Sequence, residues 1–176
     1  MKDIRQTPKE FFKQKLAIIS TKPSILDIGG GECFQKGLKD VCGQFKNTKY
    51  RSLDIPGIGS DIIGDIDNIP LQSDGEHAVI CNAVLEHVED PVRTVKEIHR
   101  ILVKGEAALA QVPSIYLYHG NKGYDGKPGY GDYWRFFDDS MMSMFKDFSS
   151  IEIRKQGGYF SAMSSFSPFI SSTSTA

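Results

Sequence analysis

The chain has 176 residues and a formal net charge of -1 at pH 7. This length fits one domain with a substantial core. The near-neutral charge, with scattered Lys and Arg residues, gives no electrostatic basis for binding a nucleic-acid backbone. No apolar run reaches the roughly 20 residues needed to span a bilayer.

The cysteines and the N-terminal segment point to a reduced compartment. The three cysteines, Cys33, Cys42 and Cys81, form no CxxC pair and leave an odd count. The first residues are charged and lack the apolar segment of a secretory signal. We therefore expect a cytoplasmic protein without disulfides.

The first half of the chain predicts a helix, a buried strand and a second helix. Segment 7–19 has apolar residues at helical spacing, with Thr7 as N-cap and Pro8 at the first helical position. Segment 23–29, "PSILDIG", is a continuous apolar run ending at glycine, which is typical of a buried parallel strand. Segment 33–45 predicts a short helix.

The rest of the chain continues the alternation of strands and helices. Strands are predicted over 49–55, 60–66, the start of 76–85, 106–113 and 149–156. The clearest helix is predicted over 90–105, with Asp90 as cap and Pro91 at N1. Its apolar face comprises Val92, Val95, Ile98, Ile101 and Leu102, and Gly105 ends it. Another helix is predicted over 138–148. The Gly- and Tyr-rich segment 115–136 is too long for a simple connector, which favours a substrate loop or lid.

This order predicts an α/β fold. Strands that alternate with helices imply right-handed crossovers and a doubly wound, mostly parallel, Rossmann-like sheet in three α/β/α layers. A regular last strand is not visible in the sequence. Residues 1–165 are expected to form one domain, and the Ser- and Thr-rich residues 166–176 a disordered or non-native tail.

The glycine turn "DIGGGE", residues 27–32, lies where a doubly wound sheet binds ligands. A dinucleotide fingerprint needs a small third residue, and Phe34 occupies that position, which argues against NAD. No Lys-Ser or Lys-Thr pair follows, so the segment is not a P-loop. A tight turn without a ligand remains an alternative at this point.

The turn resembles the first motif of class I S-adenosylmethionine-dependent methyltransferases. Asp27, Gly29 and Gly31 fit the acid-x-Gly-x-Gly pattern, and Gly30 lies between the glycines. Segment 64–91 is similar to the run from motif II through the fourth strand in the type 11 group. The resemblance covers residues 20 to 160 approximately. It implies S-adenosyl-L-methionine as the cofactor and the methyltransferase fold.

The resemblance also assigns cofactor contacts at strand ends. Asp54, followed by Ile55, corresponds to the acid that binds both ribose hydroxyls. Asp65 and the amide of Ile66 correspond to the pair that reads the adenine, and the Asn82 carbonyl to the group that meets the ammonium. Leu85 is expected to cover the adenine or the sulfonium. For the acids, a solvated turn residue is the alternative.

Catalytic and substrate residues are less determined by the sequence. His87 and His119 are candidate catalytic bases, because histidine can exchange a proton near neutral pH; His87 could equally cap or pack. The segment "YWRF" resembles one found in methyltransferases that accompany surface-sugar and cell-envelope biosynthesis. Tyr133, Trp134 and Arg135 are therefore substrate-binding candidates, although bracing of the loop is the alternative for Trp134 and Arg135. Tyr124, Tyr130 and Asp132 lie on the same loop.

The sequence thus predicts methyl transfer to a small-molecule acceptor, such as a sugar or an envelope precursor. The His and Cys residues lack metal-ligand spacing, so no metal site is expected. Neither a nucleic-acid partner nor a membrane-spanning segment is expected, and a homodimer is left open. Two alternatives remain: a methyltransferase-like binding or scaffold domain without catalysis, and an NAD-dependent reductase.

Overall fold

A five-stranded parallel sheet forms the centre of the protein in this computed structural model. The structure describes residues 8–31, 43–123 and 126–155. The strands are β1 (Ser24–Ile28), β2 (Lys49–Asp54), β3 (Ile62–Ile63), β4 (Glu76–Asn82) and β5 (Leu102–Gln111). Their order is β3-β2-β1-β4-β5, and all four pairings are parallel. The predicted α/β fold class is confirmed.

Helices lie on both faces of this sheet, as three layers require. They are α1 (Pro8–Ile19), α2 (Pro91–Ile101) and α3 (Asp138–Met144), with a 3-10 turn at Leu85–His87. The apolar side chains of α1 pack with Ile25 and Ile80 on one face. Those of α2 and α3 pack with Leu26 and Val79 on the other. Alternate side chains of one strand thus serve two different cores.

The start of α2 has the N-cap and the first-turn proline that the sequence predicts. The Asp90 side chain accepts a hydrogen bond from the backbone N–H of Arg93 at 3.0 Å, and Pro91 occupies the first helical position. A capping carboxylate and a proline without an N–H both suit the unpaired amides of a helix N-terminus.

The end of α2 differs from the prediction. The helix stops at Ile101, and Leu102 already begins β5, so Gly105 lies within a strand at φ +83°. The predicted boundary at Gly105 was wrong because Leu102 pairs with Glu76 of β4, and this tertiary contact overrides helical periodicity. Val92 is also wrong as a core residue, being 43% exposed.

Three further elements differ from the prediction: two are shorter, and one is absent from the described residues. β3 has two residues, and α3 ends at Met144 instead of residue 148. Residues 149–155 form no strand, so the sixth strand predicted over 149–156 is wrong in its described part. Thr7 and residues 33–42 of the helix predicted over 33–45 lie outside the described residues, as does the tail. No helix in the described ranges has the length and apolar character to cross a bilayer.

The corrected face of α2 gives a matched test of the core. Val95 is 1% exposed and Val92 is 43% exposed on the same helix. We expect Val95→Ala to lower the free energy of unfolding by about 2 kcal/mol, because it removes buried methyl groups and leaves a cavity. Val92→Ala should change it by less than about 0.5 kcal/mol. Urea unfolding measures both, and equal losses would contradict the packing of α2.

Candidate functional site

The carboxyl ends of β1, β2 and β4 lie side by side at one edge of the sheet. β1 pairs with β2 on one side and with β4 on the other, and the chain order reverses between them. Such a switch point opens a crevice for a ligand. The predicted site residues at the ends of these strands, including Asp27, Asp54 and Asn82, are therefore brought to one edge.

The turn after β1 needs glycine for two separate reasons. Gly29 and Gly31 have φ values of +65° and +60°, a region that residues with a Cβ rarely adopt. A Cβ on Gly29 would also overlap the Val84 side chain, which follows β4. The turn therefore packs against the segment after β4, and this packing requires glycine at position 29.

Asp27 lies beneath this turn. It is 3% exposed, and its carboxylate accepts a hydrogen bond from the Tyr50 hydroxyl. A Cβ on Gly30 would stand 2.5 Å from Asp27 Oδ2, so only glycine fits over the carboxylate. Asp27 thus contributes negative charge close under the turn.

Asp54 links the turn to the end of β2. Its Oδ2 accepts from the Gly31 N–H at 3.0 Å, and its Oδ1 accepts from the Ile55 N–H at 2.8 Å. A carboxylate has about four acceptor positions, so each oxygen can accept one more hydrogen bond. The half-buried Asp54 is therefore oriented and still able to bind a pair of vicinal hydroxyls.

The predicted adenine-reading residues lie in a turn after β3. Asp65 is exposed, and its Oδ1 accepts from the Asp67 N–H at 2.8 Å. Ile66 is partly buried against the core. The turn role of Asp65 is thus observed, while the adenine role of Asp65 and Ile66 remains a prediction.

Leu85 needs correction. Its side chain is fully buried within the core that contains α2, so it offers no surface to cover an adenine or a sulfonium. Its neighbour Ala83 has a φ of +52°, unusual for a residue with a Cβ. This sharp change of direction after Asn82 puts Leu85 into the core and delivers Glu86 and His87 to the sheet edge.

Three side chains with metal-ligand or proton-transfer chemistry meet at this edge. Glu86 Oε1 lies 3.8 Å from Nε2 of His87 and 3.8 Å from Nε2 of His119. Glu86 is 1% exposed, and the imidazole rings contact edge to face with centroids 4.8 Å apart. The two histidines predicted as catalytic candidates are thus neighbours, and the buried Glu86 joins them.

Arg135 holds the long loop that delivers His119. A guanidinium has five N–H groups, and here it makes five hydrogen bonds, to both oxygens of Asp132 and to the carbonyls of Tyr116, Leu117 and Trp134. No N–H remains for a substrate, so the geometry favours bracing over substrate binding for Arg135.

Asp132 in turn positions His119. Its Oδ2 accepts from the His119 backbone N–H at 2.8 Å and lies 3.2 Å from His119 Nδ1. Hydrogen bonds from Arg135 hold the pKa of the Asp132 carboxyl well below its usual value, against the opposing effect of burial. The carboxylate therefore stays ionised beside His119 across the physiological pH range.

The same loop is fastened to the 3-10 turn by three hydrogen bonds. The Trp134 indole N–H donates to the Val88 carbonyl at 2.9 Å, and the Tyr133 N–H to the Glu86 carbonyl at 2.7 Å. His87 Nδ1 lies 2.6 Å from the Gly131 carbonyl. Trp134 thus has the bracing role that the sequence left open, while Tyr133, 53% exposed, keeps its predicted substrate role as a prediction.

The sequence assigned no role to Glu86 and indicated Asp132 only as one of several loop residues that could contact a substrate. The roles of both residues depend on the fold of the loop. Glu86 contacts His119, which lies far from it in the sequence, and Asp132 contacts His119 in turn. Two features of the sequence could have indicated these roles. Glu86 and His87 are adjacent just after a predicted strand, and Asp132 lies three residues before Arg135. Tyr124 lies outside the described residues.

A family model described as a methyltransferase domain matches residues 39–109. Among solved structures, a methyltransferase from Bacillus halodurans superposes with a TM-score of 0.54 at 18% identity, covering 77% of this chain and 67% of that one. A Pyrococcus horikoshii protein gives 0.56 at 12% identity, covering 89% of each chain. A Haloferax volcanii methyltransferase, solved in complex with the Trm112 methyltransferase activator, gives 0.53 at 19% identity, covering 79% of this chain and 68% of that one. No curated protein matches the chain significantly in sequence.

The methyltransferase-domain model over residues 39–109 and the fold agree with the resemblance to class I S-adenosylmethionine-dependent methyltransferases that the glycine turn carries. S-adenosyl-L-methionine is the cofactor of this class. The residues present fit it: the glycine turn stands at the switch point of the sheet, and Asp54 beside it is an oriented acceptor for vicinal hydroxyls. The matched segment bears out the predicted methyltransferase class and its cofactor.

The glycine turn can be tested with a matched control. Gly29→Ala forces a strained φ and a clash with Val84, so we expect affinity for S-adenosylhomocysteine to fall at least about tenfold, roughly 1.4 kcal/mol. Gly105→Ala has the same backbone strain at φ +83° but nothing within 4 Å of the added Cβ. Calorimetric titration should show the control within about twofold of wild type. Equal losses in both variants would mean that general destabilisation explains the effect.

The low pKa of Asp132 predicts how the loop brace depends on pH. A carboxyl whose pKa is lower in the folded than in the unfolded protein stabilises the fold fully above the unfolded value of about 3.9. This stabilisation is lost as pH falls below that value towards the depressed folded pKa. We expect the difference in unfolding free energy between wild type and Asp132→Asn to shrink as pH falls below about 4. Chemical denaturation at pH values on both sides of this limit measures it, and a difference that does not shrink below about pH 4 would contradict the pairing with Arg135.

Proposed function

We propose that the protein transfers a methyl group to a hydroxyl of a small molecule, with a sugar or a sugar-containing envelope precursor as the substrate class. The observation that carries this proposal is the meeting of Glu86, His87 and His119 at the cofactor edge. A hydroxyl keeps its proton in the ground state, so its methylation needs groups that receive the proton. A thioether or a free amine acceptor would not need such a cluster.

The surroundings of the cluster support a small, ring-shaped acceptor. Tyr130 packs edge to face on His87 with centroids 4.6 Å apart, and Tyr116 on His119 at 5.2 Å. Both tyrosines stay about half exposed, at 45% and 56%. Exposed aromatic faces with a polar edge beside convergent polar groups are suited to sugar rings. The formal net charge of -1 gives no support for a nucleic-acid substrate.

The loop also covers the cofactor side of the edge. A Cβ on Gly57, three residues after Asp54, would lie 3.5 Å from Pro128 Cδ, so the loop reaches the turn after β2. The loop that carries His119 therefore contacts the 3-10 turn at one point and the turn next to Asp54, the predicted ribose-binding acid, at another. This placement would exclude water and restrict the approach of the acceptor.

When bound, S-adenosylmethionine supplies an electrophilic methyl group on a sulfonium and is left as S-adenosylhomocysteine after transfer. The glycine turn and Asp54 would fix the methyl donor, and the Asn82 carbonyl would accept from its ammonium. The loop would hold the acceptor oxygen in line with the methyl carbon. As the new oxygen–carbon bond forms, the hydroxyl proton would pass to the cluster of Glu86, His87 and His119.

Loss of one imidazole from the cluster should separate catalysis from cofactor binding. We expect His119→Gln to lower kcat by about 10² or more, because it removes an atom that handles the acceptor proton. Its affinity for S-adenosylhomocysteine should stay close to wild type. His99→Gln is the matched control, since His99 is exposed on α2 and packs on Phe148, away from the cluster.

The assay is transfer of a labelled methyl group to a panel of sugars and nucleotide sugars, with amines as the comparison. Transfer to a hydroxyl acceptor, lost in His119→Gln and kept in His99→Gln, would support the proposal. Transfer only to amines, or full activity in His119→Gln, would contradict it. Cofactor binding without transfer to any acceptor would favour the binding-domain alternative. The cytoplasmic location and a homodimer remain predictions.

A further inference from the structure

The cluster at the loop contains three Lewis bases that face one another. His87 Nδ1 lies 2.6 Å from the Gly131 carbonyl, and His119 Nδ1 lies 3.1 Å from the Leu117 carbonyl. A carbonyl can only accept, so both Nδ1 atoms carry hydrogen. In the neutral rings both Nε2 atoms therefore present lone pairs, and both are directed at Glu86 Oε1 from 3.8 Å.

The Glu86 carboxylate makes this arrangement costly without a cation. The residue is 1% exposed, and its Oε2 is buried with no hydrogen-bond partner in the part of the chain that the structure describes. An unpartnered buried carboxylate oxygen costs several kcal/mol. Arg135 is the neighbouring cation, but its five N–H groups are committed elsewhere and its charge already faces Asp132. Two carboxylates and one guanidinium leave one negative charge, which a protonated histidine of the cluster or a bound cation would balance.

We propose that Glu86, His87 and His119 form a binding site for a divalent transition-metal ion, of which Zn²⁺ is the best representative. One ligand atom from each residue lies within 4.8 Å of the other two. Bonds of about 2.1 Å in tetrahedral geometry separate two ligand atoms by roughly 3.4 Å. The separations from Glu86 Oε1 are 3.8 Å and the whole set lies within 4.8 Å, so the side chains would contract by up to about 1.4 Å around an ion.

The surroundings also provide the outer contacts that metal-bound histidines have in proteins. A ligating histidine donates its other N–H to a carbonyl or carboxylate, which fixes the tautomer and orients the ring. His87 has the Gly131 carbonyl in this position. His119 has the Leu117 carbonyl and the Asp132 carboxylate, which Arg135 in turn fixes. Both outer contacts leave Nε2 free for the metal.

The ligand set selects the class of metal. Two imidazoles and one carboxylate suit zinc and its neighbours among the transition metals, whereas Mg²⁺ and Ca²⁺ prefer oxygen ligands. Three protein ligands leave at least one coordination position open, as in catalytic sites. An acceptor hydroxyl in that position would lose its proton more readily, and Glu86 Oε2, which a metal bound through Oε1 leaves free, would receive that proton. Only this last step rests on the proposed function.

The first test measures metal binding alone, without cofactor or acceptor. The full chain is freed of metal by dialysis against a chelator and titrated with Zn²⁺ in competition with a chromophoric chelator. We expect one ion per chain, with affinity lowered at least about tenfold in His119→Gln and in Glu86→Gln. His99→Gln should bind as wild type does, and Mg²⁺ should not compete.

Cobalt spectroscopy excludes binding by the cysteines. Co²⁺ in a site of two imidazoles and a carboxylate gives visible bands without the near-ultraviolet band of a cobalt–thiolate bond. If Glu86→Gln fails to fold, His119→Gln decides, since that side chain is 30% exposed and its loss should be tolerated. Wild-type Zn²⁺ affinity in His119→Gln, or no stoichiometric binding by the wild type, would overturn the metal site. Neither result bears on whether S-adenosylhomocysteine binds.

Discussion

The position of β1 between β2 and β4 is the constraint on which the site depends. All five residues of this strand are buried, and both of its edges are paired in parallel. Parallel pairing fixes the carboxyl ends of three strands at one edge, where each chain reversal follows within a few residues. Apolar burial in the two cores thus determines where the glycine turn, Asp54 and Asn82 lie, although none of these residues contributes much apolar surface.

A second constraint is electrostatic and acts through the loop after β5. The ion pair between Asp132 and Arg135 closes a short segment, and Arg135 also donates to the carbonyls of Tyr116 and Leu117 at the start of the loop. The Asp132 side chain is fully buried, so breaking the pair would leave an uncompensated charge. The loop is therefore ordered by polar contacts instead of by an apolar core, and it carries His119 to Glu86.

The sequence predicted the residues of the cofactor site better than it predicted the cluster of Glu86, His87 and His119. Gly29, Gly31 and Asp54 were predictable because strand ends in a parallel sheet converge, so their positions follow from the order of elements alone. Leu85 was misjudged because its direction depends on the positive φ of Ala83, which no periodicity signals. The helix end at Ile101 was missed because Leu102 is drawn into the sheet by Glu76. Glu86 was not predicted to join two histidines, since its neighbours come from a loop whose path is set by Arg135.

The edge formed by β1, β2 and β4 is expected to bind S-adenosylmethionine and not a dinucleotide. The decisive measurement is calorimetric titration of the wild-type chain with S-adenosylhomocysteine, and with NAD in parallel. We expect saturable binding of S-adenosylhomocysteine at one site per chain and no binding of NAD. Binding of NAD alone, or of neither compound, would contradict the assignment of the glycine turn and Asp54 as the cofactor site.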